Sequence, residues 1–449
     1  MNIVELIFKS ADRDAIALID DDQTVTYGQL SSKVSDAARI IQNSPAARVG
    51  LDCPNGIAHV VLALAIVKTG KCLVPLASEL VPREREEIIR QTGLGAIVHA
   101  DGSLSEMKIA YPLECDETAL AKLNPAFIRF SSGTTGKSKG IVLSHQSLLE
   151  RISAANRGLQ ISPSDKIVWI LPMAHHFAVS IILYLWRGAT TIIVKSHLAE
   201  DVLSAAIEHR GTILYGSPFH HGLLATEPSE RPWPTLRLAV STAATLPLAT
   251  AENFENRYGL PLSQGLGIIE VGLSFLNCEA AHAKPGSIGK PFSDYAAELR
   301  EGQLFIRGPG MLDAYLTPWQ IRSEILENGW FRTGDMARQD EDGDYYLEGR
   351  SHSVINVAGM KCFPEEVEAV LGTHAEVLSA RVSGRPHPKM GAVPIAEIIP
   401  RSISQPPSVA SLTTLCRTSL ARYKMPVEFR FVESLPRTAS GKIKRGEEQ

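Results

Sequence analysis

Residues 131–140, SSGTTGKSKG, form a polar segment between two apolar ones, and they constrain the chain more than any other feature. The segment holds three glycines, two lysines and five hydroxylated residues. Such residues make a poor core, but glycine N–H groups, hydroxyls and ammonium groups together suit a bound phosphate. A Walker A motif is excluded, because Ser131 stands where that motif requires its first glycine. The segment therefore predicts a phosphate-binding loop of another kind, with a flexible surface turn as the alternative.

Length and composition favour a soluble protein of at least two domains. A chain of 449 residues exceeds one ordinary domain, and its net charge of −4 gives no reason to expect a nucleic-acid partner. The six cysteines lack CxxC or Cys/His spacing, which indicates reduced thiols rather than disulfides or a zinc site. Neither a signal-peptide pattern nor an apolar segment long enough for a membrane span occurs, so we expect a cytoplasmic protein.

Strand-like and helix-like patterns alternate along the first part of the chain. Apolar segments at 15–19, 72–76 and 96–98 are separated by helical spacings of three and four at 30–41 and 60–69. This alternation predicts an α/β fold with mostly parallel sheets flanked by helices.

The last hundred residues follow another pattern. Pro364 stands where a helix would begin, 377–382 is strand-like, and an apolar stripe at helical spacing runs through 412–423. These patterns predict a small α+β unit in residues 350–449.

Several further segments carry recognisable motifs. They are PMAHH at 172–176, STAA at 241–244, QGLGIIE at 264–270, WFRTGD at 330–335, GRSHS at 349–353 and PRTASGK at 436–442. Together with the phosphate loop, these motifs resemble those of the adenylate-forming superfamily, which contains acyl- and aryl-CoA ligases, luciferases and adenylation domains. The resemblance runs from Thr26 to Lys442 and implies ATP-dependent activation of a carboxylic acid, followed by transfer of the acyl group to a thiol.

The resemblance implies a nucleotide site. The loop residues that would bind the ATP phosphates are Ser131, Ser132, Gly133, Thr134, Thr135, Gly136, Lys137 and Lys139. Asp335 would bind the two ribose hydroxyls, Arg350 would meet ribose or phosphate, and Glu270 would contact Mg²⁺. Lys442 is the implied catalytic lysine, which would bridge the acid and the α-phosphate of ATP.

The resemblance also implies an acyl pocket. His175 would lie beside the reacting carboxylate as a second catalytic residue, whereas a hydrogen-bonded core histidine is the alternative. The other implied pocket residues are Phe177, Ala178, Ser241, Ala243, Gly265, Leu266, Gly267 and Ile268. Two adjacent histidines also suggest a metal, but their side chains diverge, so we do not expect a metal site there.

The QGLGIIE segment departs from the family's pattern at two positions. Leu266 replaces an aromatic residue that would stack near the adenine, and Ile269 replaces a threonine that would reach the phosphate. Amino-acid-activating relatives carry an aspartate that pairs with the substrate ammonium, where this chain has Ala178. Because an unpaired buried ammonium is costly, we expect an aryl or fatty acid without an α-amino group.

The resemblance implies that the large N-terminal domain, 1–349, ends at the GRSHS segment and that the small C-terminal domain, 350–449, moves before the acyl group is transferred to the thiol. His352 stands at the implied hinge, where the family usually has Asp or Lys, and Gly359 with Lys361 would line the entry of the thiol. The thiol acceptor would be CoA or, alternatively, the phosphopantetheine of an acyl carrier protein. A third possibility is a catalytically weak nucleotide- or acyl-binding relative, which the departures at Leu266, Ile269 and His352 keep open.

Overall fold

The computed structural model describes residues 2–21, 23–78, 80–107, 115–130, 139–350, 353–357 and 360–436. These residues form three sheets in the N-terminal part of the chain and a fourth sheet beyond residue 354. The mixed α/β architecture, with large N-terminal sheets and a smaller C-terminal unit, confirms the predicted fold class.

The first sheet has eight strands in the order β14-β13-β12-β11-β9-β10-β1-β2. Its strands are β1 (Ile16–Asp20), β2 (Gln23–Thr26), β9 (Lys166–Trp169), β10 (Thr190–Ile193), β11 (Ile213–Gly216), β12 (Leu238–Ser241), β13 (Leu262–Ile268) and β14 (Gly272–Leu276). All internal pairs are parallel, and only the edge strands β2 and β14 pair antiparallel.

The second sheet also has eight strands, in the order β18-β17-β8-β7-β4-β3-β5-β6. Its strands are β3 (Arg48–Asp52), β4 (Cys72–Pro75), β5 (Ala96–His99), β6 (Leu104–Glu106), β7 (Pro125–Phe130), β8 (Gly140–Ser144), β17 (Ala314–Tyr315) and β18 (Gln320–Ile321). Strands β7, β4, β3 and β5 are parallel, and β8 returns antiparallel to β7.

Two smaller sheets follow along the chain. The third consists of β15 (Ala296–Arg300), β16 (Gln303–Arg307), β19 (Phe331–Gln339) and β20 (Tyr345–Arg350), all antiparallel. The fourth consists of β21 (Ile355–Val357), β22 (Met360–Cys362), β23 (Val377–His387), β24 (Gly391–Pro400) and β25 (Phe429–Phe431).

Helices cover the faces of these sheets. The described α-helices are α1 (Ile3–Ser10), α2 (Tyr27–Ile41), α3 (Ile57–Lys68), α4 (Pro82–Thr92), α5 (Glu117–Lys122), α6 (His145–Leu159), α7 (Met173–His176), α8 (Ile181–Trp186), α9 (Ala199–Glu208), α10 (Pro218–Ala225), α11 (Leu248–Tyr258), α12 (Arg322–Ile325), α13 (Pro364–Gly372) and α14 (Val409–Ser419). Across the described ranges, none of these helices has the length and apolar character that a membrane span requires.

Burial explains why α3 is apolar all round whereas α2 is amphipathic. Helix α3 lies in the largest hydrophobic cluster, where residues 60–67 are all buried. Helix α2 buries only the stripe Tyr27, Leu30, Val34, Ala38 and Ile41, and Thr26 begins it with a capping box. The C-terminal unit has its own cluster, from Ile355 to Cys416, under α13 and α14. A separate core is what an independent unit needs, although the boundary at 349/350 stays a prediction.

Buried His145 predicts a loss of stability in acid. Its Nδ1 accepts a hydrogen bond from the Ile3 amide at 3.2 Å, so the ring is neutral, and burial lowers its pKa to about 4. The unfolded chain takes up the proton near the ordinary histidine pKa of about 6.5, before the folded chain does. The contribution of His145 to the free energy of unfolding is therefore fully present above about pH 6.5 and is lost as the pH falls towards 4. Urea midpoints measured from pH 7 to 4 should decline less steeply in His145→Gln; an unchanged slope would contradict this role.

Candidate active site

Strands β7 and β8 bring the two ends of the phosphate loop together. Phe130 at the end of β7 pairs with Gly140 at the start of β8, and a Cβ at Gly140 would lie 3.0 Å from the Phe130 ring. The loop therefore begins and ends at one point of the second sheet. Lys139 is the loop residue whose side chain the structure describes, and its Nζ lies 4.3 Å from the centroid of the Tyr315 ring. This contact fixes an ammonium group beside the loop.

Tyr315 connects the loop to Glu270. The Tyr315 hydroxyl donates a long hydrogen bond of 3.5 Å to Oε1 of Glu270, which is half-buried. Burial, followed by the charge of Glu270, raises the pKa of Tyr315 well above its usual value. The phenol is thus a neutral donor at any physiological pH, and Glu270 faces it as an acceptor.

A buried guanidinium supports the turn that carries Glu270. Arg151 is 1% exposed; its Nη1 donates to the Ile269 carbonyl at 3.0 Å, and Nε and Nη2 donate to the Gly310 carbonyl at 2.9 and 2.6 Å. The Leu312 amide donates to the Glu270 carbonyl at 2.7 Å. Helix α6 and the segment before β17 therefore hold the Glu270 turn from both sides.

Asp335 and Arg350 lie opposite each other on neighbouring strands. Asp335 on β19 pairs in register with Arg350 on β20, and their side chains form an ion pair with Nε and Oδ1 at 2.8 Å. Asp335 is 5% exposed, whereas Arg350 is half-exposed, and Arg350 also donates to the Thr333 carbonyl at 3.2 Å. The structure thus brings together two residues predicted to contact the nucleotide.

His175 lies in the one-turn helix α7, which follows β9. Its side chain is half-buried, and its carbonyl accepts a hydrogen bond from Nη1 of Arg129, the penultimate residue of β7. Two residues beyond His175, Phe177 is fully buried, with its ring 5.9 Å from that of His59, and Ala178 is also buried. In this conformation Phe177 and Ala178 belong to the core, so their contact with an acyl group stays a prediction.

The remaining predicted pocket residues follow strands β12 and β13. Ser241 at the end of β12 is fully buried, and its Oγ has no hydrogen-bond partner within the described residues. Ala243 has a positive φ of 73°. Leu266 is buried in the main core, Gly265 and Ile268 are half-buried, and Gly267 is exposed. These neighbours lie at the carboxyl ends of parallel strands, where α/β proteins bind ligands.

Several predicted site residues lie outside the described ranges. They are Ser131, Ser132, Gly133, Thr134, Thr135, Gly136, Lys137, His352, Gly359 and Lys442, and the side chain of Lys361 is likewise not described. Their assignments stay predictions.

The sequence motifs do not include Asn55, Arg129, Arg151 or Tyr315, which the structure places at the site. Arg129 gives a signal, since it is the only charged residue in the apolar segment 126–130. The others give none, because their partners are 45 to 159 residues away in the chain.

A group of three carboxylates lies in the turn between β19 and β20. Asp340, Asp342 and Asp344 come close enough together to hold a cation. Lys284 already supplies one, with Nζ at 2.8, 2.6 and 2.8 Å from their oxygens. This cluster is an internal salt bridge that ties the 284–287 loop to the hairpin.

Comparison with known proteins shows which family models and which relatives match this chain. A family model described as AMP-binding enzyme matches residues 8–316, and one described as AMP-binding enzyme C-terminal domain matches residues 366–442. A 3-[(3aS,4S,7aS)-7a-methyl-1,5-dioxo-octahydro-1H-inden-4-yl]propanoyl:CoA ligase from Mycobacterium tuberculosis is 30% identical and covers 96% of this chain and 95% of its own. A feruloyl-CoA synthase from Amycolatopsis sp is 28% identical, with 94% and 93% covered. The solved structure of o-succinylbenzoate CoA synthetase from Bacillus subtilis, bound to its acyl-adenylate intermediate, superposes with a TM-score of 0.88 at 25% identity and covers 99% of this chain and 97% of that one.

Proposed function

Because this chain belongs to the AMP-binding enzyme family, we propose that it is an AMP-forming acid–thiol ligase that activates a carboxylic acid with ATP and transfers it to CoA. The predicted family and ligase activity agree with relatives that match almost the whole chain. The single structural observation that supports the proposal best is the convergence of the phosphate-loop ends, Glu270 and the His175 turn at the ends of strands in the first two sheets.

In the first half-reaction, a carboxylate approaches the α-phosphate of ATP. Both reactants are negative, so the barrier is largely electrostatic, and an ionised acid needs no general base. Lys139 and the loop before it would bind the outer phosphates, Asp335 the ribose, and Lys442 the carboxylate and α-phosphate together. His175 would lie beside the reacting carboxylate. Cations and donors positioned in advance lower the energy of the transition state without reorganising solvent.

Mg²⁺ fits the environment of Glu270. A carboxylate is a hard ligand that suits a cation shared with substrate phosphates, and the one hydrogen bond described for this carboxylate is the long bond from Tyr315. When bound, the ion would neutralise phosphate charge. The chain's own contribution is to hold Glu270 in place through Arg151 and Leu312.

In the second half-reaction, a thiol displaces AMP. Lys442 would then obstruct the reacting centre, and the small domain would turn about His352 so that Gly359 and Lys361 line the thiol's entry. Free CoA is the favoured acceptor, since relatives that cover most of the chain are CoA ligases. A carrier-protein phosphopantetheine is the alternative.

The substrate is an acid without an α-amino group, aryl or alkyl. The region around Phe177 and Ala178 is apolar and buried, and Leu266 with Ile268 continues this character. A substrate ammonium would have no carboxylate at position 178 to pair with, and its burial would be costly.

Acid-dependent pyrophosphate exchange with a panel of aryl, fatty and amino acids tests this proposal. We expect exchange with one of the first two classes and, after adding CoA, release of AMP with formation of a thioester. If only amino acids supported exchange, the proposed substrate class would be overturned. If none of the acids in the panel supported exchange, the proposed activity would be overturned. If the thioester formed only on a holo-carrier protein, the acceptor would be that carrier protein and not CoA.

Asp335→Ala should mainly weaken ATP binding. Losing the hydrogen bonds that a carboxylate accepts from the ribose hydroxyls costs about 2 kcal/mol, which corresponds to roughly a 30-fold rise in the Kd for ATP by equilibrium binding. Asp165→Ala is the matched control, because Asp165 is also a buried aspartate, paired with Arg237 at 2.7 Å, but away from the predicted site. Equal Kd values in the two variants would refute the ribose assignment.

A further inference from the structure

We propose that Asn55 and Arg129 form a two-sided clamp on helix α7 that positions His175 for the incoming acid. Both are positioning residues, and the inference depends on the proposed function because it takes His175 to lie at the reacting carboxylate. Asn55 lies in the loop after β3 and Arg129 is the penultimate residue of β7, so both come from the second sheet or its loops, whereas α7 follows β9 of the first. The clamp therefore joins the two large sheets at the site.

Helix α7 needs outside support because it has a single turn. It comprises only Met173–His176, and its N-cap residue, Pro172, makes no side-chain capping bond. One turn of helix is not stable by itself, and helix ends leave amide and carbonyl groups without partners inside the helix. The position of His175 must therefore depend on what satisfies the ends of this turn.

Asn55 caps the N-terminal end of the turn. Its Oδ1 accepts from the Met173 amide at 2.8 Å, and its Nδ2 donates to the Leu171 carbonyl at 2.9 Å. One side-chain amide thus bonds the backbone on both sides of Pro172, as a neighbouring strand would do. Because Asn55 is 118 residues from Met173 in the chain, this cap exists only in the folded protein.

Arg129 satisfies the C-terminal end of the same turn. Its Nη1 donates to the His175 carbonyl, and a cation suits the negative end of a helix. Burial lowers the pKa of Arg129 to about 10, while nearby Glu270 opposes that shift, so the guanidinium stays charged at neutral pH. Nε of Arg129 is buried and makes no hydrogen bond within the described ranges. The hydrogen bond from Nη1 to the His175 carbonyl is the described bond that holds this guanidinium.

Packing holds only part of the turn. Met173 and Ala174 are buried, whereas His175 is half-buried and the N-cap residue Pro172 borders, with Asn55, an open cleft of about 1040 Å³. Arg129 also stands two residues before the phosphate loop. The same residue therefore stands between the predicted phosphate loop in the chain and the backbone that carries His175.

The experiment compares Asn55→Ala, Arg129→Met and Arg129→Lys with wild type. We expect a rise of roughly 10-fold in the KM for the acid in the first two variants, with the KM for ATP within about twofold, as the loss of one or two hydrogen bonds at a positioned group predicts. Arg129→Lys keeps the cation and should recover part of the loss. Unfolding midpoints in urea are recorded for every variant.

Asn156→Ala provides the matched control. Asn156 makes the same pair of bonds, donating to the Ile161 carbonyl at 3.2 Å and accepting from the Ile161 amide at 2.9 Å, but it caps the end of α6. We expect it to lower the urea midpoint without changing the KM for the acid. An acid KM that rises equally in Asn156→Ala and Asn55→Ala, or in neither, would overturn the clamp.

This outcome is separable from failure of the proposed function. If wild type supports no acid-dependent pyrophosphate exchange, the proposed function fails before any variant is compared. If wild type is active and the clamp variants keep its acid KM, only the clamp fails. If Arg129→Met does not fold, the comparison of Asn55→Ala with Asn156→Ala still tests the clamp.

Discussion

Lys442→Ala is expected to slow formation of the acyl-adenylate by about 10²–10³-fold, the effect of removing a charge that acts mainly in the transition state. The lysine ammonium would contact the carboxylate and the α-phosphate while both carry negative charge, and no neutral side chain replaces that interaction. The KM for ATP should change little if, as proposed, the loop, Asp335 and Mg²⁺ hold the nucleotide. The measurement is acid-dependent pyrophosphate exchange at saturating ATP.

The second half-reaction serves as the internal control for this variant. Thioester formation from pre-made acyl-adenylate and CoA should keep most of its rate in Lys442→Ala, since in the proposed mechanism the lysine leaves the reacting centre before this step. Lys444→Ala removes the same charge two residues further along and should leave both half-reactions close to wild type. Equal losses in both half-reactions, or equal losses in both variants, would refute the assigned role.

Gly310→Ala is expected to destabilise the large domain by about 3 kcal/mol, since it combines a backbone clash with backbone strain. Gly310 has a φ of +65°, and a Cβ there would lie 2.4 Å from the Arg151 backbone nitrogen. The 308–312 segment cannot move away without breaking the two bonds from Arg151 to the Gly310 carbonyl. Urea unfolding followed by tryptophan fluorescence measures the loss.

Gly259→Ala measures the backbone strain without the clash. Its φ of +67° is nearly the same, but a Cβ at this position meets no atom within 4 Å. We expect it to cost ~1 kcal/mol, from the backbone conformation alone. If the two variants lost the same stability, the close approach of the loop to α6 would not be the reason that glycine stands at 310. A raised Mg²⁺ requirement in Gly310→Ala alone would further support Glu270 as the metal contact.

Much of the architecture could be predicted from local pattern. The alternation of apolar segments with helical spacing indicated parallel sheets, and the spacing through α2 matches its buried stripe from Tyr27 to Ile41. Helix α13 begins at Pro364, where proline is favoured. The comparisons confirm the family and the ligase activity, because the motifs that carry the resemblance are short and continuous in the sequence.

Local pattern could not predict how those motifs are held. Whether Leu266 faces a ligand or the core depends on the partner strands of β13, and the structure places it in the core. The pairing of Asp335 with Arg350 depends on the register of β19 and β20. The supports of the Glu270 turn depend on where α6 passes the 308–312 segment.

The sequence alone indicates the chemistry: a glycine- and lysine-rich loop predicted to bind phosphate, a carboxylate at Asp335 predicted to bind ribose, and a predicted catalytic lysine at 442. These predictions rest on residue types at short spacing, so they can be made without a structure. The folded chain adds what holds the predicted site in place, namely the bonds of Asn55 and Arg129 to α7 and of Arg151 to the Glu270 turn. Their bonds join atoms that are tens to more than a hundred residues apart, and chain folding alone brings such atoms within hydrogen-bonding distance.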